Sequence, residues 1–341
     1  MKQTTSEQPR WNSEENLIEF SEQTLAPFWQ TRNDGFIEGQ QGKKLYWVSF
    51  TKPEHTKAIV VVNGRIESVN KYQEVFWDLF QQGYDIYSYD HRGQGLSERC
   101  CADKQMGHVE FFDFYIKDLH HILNHFQLNH YQQKFFLAHS MGGAITTRYL
   151  QTHQQHGFDG VTLSAPMIGI QMQWYLRPFS SPLSKWMSTR STMPVYAPGQ
   201  TPYHAKPFET NNLTSSVLRY QWFRSLYEQI PDIQLGGPSS HWVHQSLLAA
   251  KQCNQQAQQI NVPLLLIQAS EDSVVDNAAQ RRFINKLNKK QPPLGKLAVI
   301  EGAKHELLCE ADCFRNQVLD QTVDFFNSMT RKTFKTCVSK V

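Results

Sequence analysis

Short, unbroken apolar runs recur along the chain: AIVVVN (58–63), YDIYSYD (84–90), KFFLAHS (134–140), GVTLSA (160–165), PLLLIQA (263–269) and KLAVIEG (296–302). Neighbouring side chains of a strand point to opposite faces of a sheet, so continuous hydrophobicity predicts strands buried on both sides. The intervening stretches carry apolar residues at helical spacing and predict helices over about 69–82, 109–127, 142–155, 277–289 and 313–328. Strand and helix in alternation is the pattern of parallel βαβ units. An earlier pair of runs, around Ile37 and over 44–50, alternates and predicts an antiparallel hairpin at one edge.

The pattern breaks once. Between Met167 and about Ile260 no strand run appears, and the segment is dense in aromatics, among them Trp174, Trp186, Tyr203, Phe223 and Trp242. This predicts a largely helical cap, 167–260, inserted after the sixth strand over the carboxyl ends of the sheet; an independent helical domain would read the same way. The expected organisation is an N-terminal extension (1–34), an α/β core with a mostly parallel central sheet flanked by helices (35–166 and 261–330), the cap, and a basic C-terminal tail (331–341). The tail is either a frayed end or a docking segment for anionic lipid head groups.

Composition narrows the function. The 341 residues hold 34 Lys+Arg against 31 Asp+Glu, a net charge of +3 that does not suggest a nucleic-acid binder. The first residues, MKQTTSEQPRWNSEENLIEF, lack the basic start and apolar run of a secretory signal, so a cytoplasmic protein is expected. The longest clean apolar runs are strand-sized, which limits membrane contact to the periphery. Six cysteines (100, 101, 253, 309, 313 and 337) are too sparse for a disulfide framework and show no zinc-type pairing, which predicts free thiols. His121 and His125 have one-turn spacing but lack a third ligand, so neither metal nor cofactor is expected.

The candidate chemistry sits at FFLAHSMGGA (135–144). A strand that ends in a serine and turns at once into a helix lifts the hydroxyl above the sheet, and Gly142 and Gly143 leave room for the turn. The pattern is A-x-S-x-G where such elbows usually read G-x-S-x-G; a helix N-cap serine would produce the same pentapeptide. Later strand ends supply partners in the order acid, then histidine. SEDSVVD follows PLLLIQA, and AKHEL follows KLAVIEG, which puts Asp272 or Asp276 and then His305 at the same sheet edge as Ser140. A serine needs an imidazole to take its proton, and the imidazole needs a carboxylate to fix its tautomer. Asp272 lies nearer the strand end and is the candidate acid; Asp276 suits the cap of the next helix. The oxyanion donors would be the backbone N–H groups of Met141 and of Arg65, the latter in NGRIES (63–68), where Gly64 permits close approach. Asn63 stands where histidine is usual, and its partners are open. Candidate substrate contacts are Gly64, His139, Met167, Trp174 and Trp242. The stripe from Met167 to Leu176 reads either as core or as a wall for an acyl chain.

With these residues in hand, the chain resembles the α/β-hydrolase superfamily and, within it, the monoacylglycerol lipase and lysophospholipase group. The resemblance spans about 35–330 and rests on NGRIES, YDHRGQGLS (89–97), LAHSMGGAI, LSAPMIGI, ASEDSVVDN and EGAKHEL, while GGPSSHWVHQS (236–246) in the cap draws it toward bacterial lysophospholipases. DHRGQGLS reads as a structural turn shaped by Arg92 and the glycines. The resemblance implies the α/β-hydrolase fold, with Ser140 as nucleophile, Asp272 as acid and His305 as base. It also implies hydrolysis of the acyl ester of a lysophospholipid through an acyl-enzyme, to a fatty acid and a glycerophosphodiester, with another lipid as an alternative acyl acceptor. Such an enzyme works at the cytoplasmic face of the inner membrane without a cofactor. Alternatives are a monoacylglycerol lipase or general carboxylesterase, and a catalytically silent lipid-binding protein of the same fold.

Overall fold

The computed structural model describes residues 10–171 and 193–329. Its strands are β1 (Asn33–Glu38), β2 (Lys44–Phe50), β3 (Lys57–Val62), β4 (Tyr84–Tyr89), β5 (Gln133–His139), β6 (Gly160–Ser164), β7 (Leu264–Ala269) and β8 (Gly295–Ile300). They form one sheet in the order β1-β2-β4-β3-β5-β6-β7-β8. β2 pairs antiparallel with β1 and β4, and the remaining pairs are parallel. The unbroken apolar runs are explained by what covers them. Val60, Val62, Phe136 and Ala138 face one core, while Ile59, Val61, Phe135 and Leu137 face the other.

Among the described residues seven longer helices follow in chain order: α1 (Gln73–Gln81), α2 (Asp113–Phe126), α3 (Ser140–Thr152), α4 (Val217–Gln229), α5 (Ser240–Gln255), α6 (Asn277–Leu287) and α7 (Asp312–Asn327). Leu119 of α2, Ile145 of α3 and Phe283 of α6 pack on the first face. Phe76 of α1 and Val323 of α7 pack on the second.

Several boundaries differ from the sequence reading. The segment expected as an N-terminal extension is, from residue 10, built into the second core. Trp11, Leu17, Leu25 and Phe28 are buried, and Phe28 stacks on Phe50 with centroids 4.2 Å apart. Arg10 and Trp11 both donate to Asp320 of α7, at 2.7 and 2.9 Å. The short, polar helical turns of 14–30 have no clean period, so nothing in the local pattern marks their apolar residues as core. Helix α2 begins at Asp113 rather than 109, with Val109 and Phe112 buried in the preceding loop.

The cap also divides by packing. Helix α4 has a small core of its own, Tyr220, Phe223, Tyr227 and Ile233. Helix α5 instead sets Ala249 and Cys253 into the first main core beside Leu264, so it behaves as a layer helix. Arg219 anchors α4 from within. Its buried guanidinium reaches Glu74 of α1 at 2.8 and 2.9 Å and Asp312 of α7 at 2.7 Å. A buried arginine with two carboxylates fixes where α4 sits on α1 and α7, since removing either side strands a charge.

Among the described residues no helix is long and apolar enough to cross a membrane. Cys100, Cys101, Cys253, Cys309 and Cys313 are free thiols. Cys337 and the basic tail lie outside the described residues, as do Trp174 and the rest of its stripe beyond 171.

Candidate active site

Ser140 is the first residue of α3 and has φ +49°, in the left-handed region that non-glycine residues seldom enter. The following residues force that turn. A Cβ at Gly142 would fall on the carbonyl oxygens of Val62 and Asn63, so only glycine lets the helix pass this close to the end of β3. The carbonyl of Ser140 accepts the N–H of Met167 at 2.9 Å, which closes the other side.

The hydroxyl meets its partners across the sheet edge. Ser140 Oγ lies 2.9 Å from His305 Nε2, and His305 Nδ1 lies 2.7 Å from Asp272 Oδ2. Asp272 Oδ1 accepts the N–H groups of Val274 at 2.7 Å and Val275 at 3.0 Å. The two candidate acids thus separate: Asp272 faces the imidazole, whereas Asp276 caps α6 through the N–H groups of Ala278 and Ala279.

Electrostatics favour a charged couple. Burial alone would lower the His305 pKa, but the bond and charge of Asp272, with Glu306 and Glu67 behind it, lift it above its ordinary 6.5. Burial would likewise raise Asp272; the bond and charge of His305 and the two N–H groups hold it below the usual carboxylate value. An imidazolium formed by taking the serine proton is therefore stabilised where it forms.

The loop after β3 approaches from the opposite side. A Cβ at Gly64 would stand 3.2 Å from Cβ of Ser140 and 3.1 Å from Cδ2 of His139. Met141 is wholly buried, so what it can offer is its backbone N–H, one of the first four of α3 that have no partner within the helix. Asn63 turns away from the site. Its Nδ2 donates to the Tyr89 carbonyl at 3.2 Å and to Asp90 at 3.4 Å. Asp90 accepts the N–H of Val69 at 2.7 Å and that of Leu96 at 2.8 Å, and Gln94 donates to the carbonyls of Gly64 and Glu67 at 2.7 and 2.9 Å. Arg92 pairs bidentately with Asp118 at 2.5 and 2.8 Å. DHRGQGLS is thus a brace that holds the Gly64 loop against Ser140.

One cluster escaped the sequence reading. The ammonium of Lys71 lies 2.7 Å from Glu67 and 2.6 Å from Glu306, all three largely buried. Glu67 also accepts the Tyr72 hydroxyl at 2.7 Å and the N–H of Gly64. His139 lies 3.6 Å from Glu306 and is neutral, because burial pushes it down to about 4. Glu67, His139 and Glu306 face one another closely enough to hold a metal ion, but Lys71 already stands between the two carboxylates as their cation. The Glu67–Lys71 spacing hints at a helical pair. Nothing local indicates that Glu306, 235 positions further on, would share the lysine.

A cavity of about 760 Å³ opens above Ser140 and His305. Gly64, Arg65, His139, Met167 and Trp242 line it, so the structure brings these sequence candidates together; Trp174 lies outside the described residues. Leu213, Phe223, Val243 and Val274 extend its apolar wall.

Residues 53–312 match the family described as serine aminopeptidase, S33. Lysophospholipase L2 of Escherichia coli (strain K12) is 38% identical over 328 residues, covering 94% of this chain and 95% of that protein. The probable lysophospholipase L2 of Haemophilus influenzae is 33% identical, covering 91% and 96%, and the monoglyceride lipase of Rattus norvegicus is 28% identical, covering 83% and 86%. Among solved structures, the monoacylglycerol lipase of Paleococcus ferrophilus superposes with a TM-score of 0.65 at 20% identity, covering 84% of this chain and 99% of that one. A soluble variant of monoglyceride lipase from Saccharomyces cerevisiae superposes with a TM-score of 0.66 at 17% identity, covering 88% and 97%. The chain belongs to the serine aminopeptidase S33 family of α/β-hydrolases, within the group that holds the lysophospholipases L2 and the monoglyceride lipases.

Proposed function

We propose that this protein is a serine esterase that hydrolyses the acyl ester of lysophospholipids. Ser140 Oγ attacks the ester carbon as His305 Nε2 takes its proton, and Asp272 holds the imidazolium. The N–H groups of Met141 and Arg65 receive the oxyanion. The intermediate collapses as His305 returns the proton to the glycerol oxygen, which leaves as a glycerophosphodiester. Water, activated by the same imidazole, then releases the fatty acid from Ser140; a second lipid in place of water would turn the step into acyl transfer.

The observation that carries this reading is the relay of 2.9 and 2.7 Å through His305, set at the floor of a largely apolar cavity. Such walls suit a flexible acyl chain, since each methylene buried contributes about 0.8 kcal/mol. The lysophospholipase L2 relatives support the lipid class. Exposed Phe111, Met193 and Val195 line one groove beside the cap and support peripheral contact with the membrane that supplies the substrate. A monoacylglycerol as substrate is the second reading, favoured by the monoglyceride lipase relative.

Ser140→Ala tests the assignment. It should keep the wild-type circular dichroism, lose labelling by a fluorophosphonate probe, and lose several orders of magnitude in hydrolysis of lysophosphatidylethanolamine. Comparable turnover in the variant discards Ser140 as nucleophile, and cleavage of monoolein alone by the wild type selects the second reading.

A further inference from the structure

The cavity above Ser140 contains unequal charge. Arg65, Lys71 and Arg224 line it against Glu67 and Glu306. Lys71 is committed to the two glutamates, and His139 is neutral. The two arginines remain.

Elsewhere the buried arginines each reach a carboxylate or an amide oxygen, although Arg148 Nε and Arg315 Nη1 have no partner of their own. Arg92 meets Asp118, Arg219 meets Glu74 and Asp312, Arg315 meets Asp78, and Arg148 meets two amide oxygens at 2.6 Å. The cavity arginines differ. Arg65 donates to the Gly236 carbonyl at 3.3 Å and lies over the Trp242 ring at 5.2 Å. Arg224 stacks against Tyr220, Phe223 and Tyr227, and its Nε is shielded from water without a hydrogen-bond partner. Among the described residues neither forms an ion pair with a carboxylate. Burial pulls Arg65 down to about 10, so it is still a cation at neutral pH. A partly buried guanidinium that faces aromatic rings and has no carboxylate partner is arranged for an anion arriving from outside.

We propose that Arg65 and Arg224 form the head-group end of the cavity and bind the phosphoryl oxygens of a lysophospholipid, while its acyl chain lies along Met167, Ile170 and Val274. This deepens the esterase reading above and rests on Ser140 as nucleophile. In a lysophospholipid only six covalent bonds separate the ester carbon from phosphorus. Arg65 directly follows Gly64, which abuts Ser140, so its long side chain starts beside the ester. Arg224 comes from the other wall, on α4, which is tied to the same loop by the Tyr227 hydroxyl donating to the Ile66 carbonyl at 2.6 Å. A monoacylglycerol offers these cations no charge, so the pair selects between the two substrates that the catalytic groups alone do not distinguish.

The test is kcat/KM for lysophosphatidylethanolamine and for monoolein, in the same mixed micelles, for the wild type and for Arg65→Gln, Arg224→Gln and Arg224→Lys. The ratio of the two substrates should fall about tenfold or more in each glutamine variant and by less in Arg224→Lys, which keeps the charge but loses the planar fork that stacks on the rings. An unchanged ratio, or an equal fall for both substrates, overturns the inference. A second measurement separates it from the esterase reading: binding of the ether analogue of lysophosphatidylethanolamine, and of its uncharged glycerol counterpart, to Ser140→Ala protein with and without Arg224→Gln. Preferential binding of the charged ether that is lost with Arg224, in a protein whose wild type cleaves no lysolipid, leaves the head-group site standing and discards the esterase reading. Equal binding of the two ethers discards the head-group site even where hydrolysis is confirmed.

Discussion

Replacing Asp272 by asparagine perturbs the proposed relay without altering its shape. In the native protein Oδ1 accepts the N–H groups of Val274 and Val275, while Oδ2 faces His305 Nδ1 at 2.7 Å. An asparagine keeps its single oxygen on the two N–H groups and therefore turns its NH2 toward Nδ1. The imidazole must then accept at Nδ1, and its proton moves to Nε2, 2.9 Å from Ser140 Oγ. Nε2 now donates to the serine and cannot take its proton. The expected loss is about 10³–10⁴-fold in kcat, or about 4–5.5 kcal/mol of barrier at about 1.36 kcal/mol per decade.

The pH profile gives a second, independent sign. The base must be neutral, so wild-type kcat/KM rises with pH through the pKa of His305, which is lifted above 6.5. Burial is the largest influence on this group and lowers its pKa; Asp272 is the main force raising it, with Glu306 and Glu67 behind. With asparagine at 272, burial meets less opposition. The acid limb should move to lower pH while the plateau collapses. The assay is hydrolysis of a p-nitrophenyl acyl ester between about pH 5 and 9. A plateau less than about tenfold lower, or an acid limb displaced upward, would show that Asp272 does not set the tautomer and charge of His305.

Further substitutions probe the scaffold. Lys71→Met leaves Glu67 and Glu306 buried together without their cation, and should destabilise the fold by about 3–5 kcal/mol in urea denaturation. Lys71→Met/Glu306→Gln should recover part of that loss, and an additive double variant would contradict the shared ammonium. The pH sense follows from Glu306, which burial would raise but Lys71 and His305 hold below its ordinary 4.5. The stability it contributes is present above that unfolded value and is lost as pH falls through the depressed folded one. Gly142→Ala places a methyl group on the Val62 and Asn63 carbonyls. It should yield little folded protein, or a fold with a markedly lower melting temperature and no esterase activity; a near-normal melting temperature would contradict the tight approach of α3 to β3.

Much of this protein is written locally. The unbroken runs of β3 to β7 announce a sheet covered on both faces, because a strand buried on one side only would alternate. Ser140, Asp272 and His305 could be picked out because each follows a strand of one parallel sheet, and parallel strands deliver their ends to one edge. The N-terminal turns are illegible for the opposite reason: Trp11, Leu17, Leu25 and Phe28 are spaced irregularly yet buried, and Trp11 and Phe28 join a core to which β2, α1 and α7 also contribute.

The sequence by itself determined the sheet, the order of the residues at its edge, and the class of chemistry those residues can support. It did so through short-range rules of periodicity, turn and chain order, which act within a few residues. Only the tertiary structure decided that Lys71 joins Glu67 to Glu306, that Asn63 and Gln94 brace the loop beside Ser140, and that Arg65 and Arg224 meet at one cavity. Those pairings arise from electrostatics and close packing between segments far apart in the chain, and such forces depend on distance in space, which no local pattern of residues records.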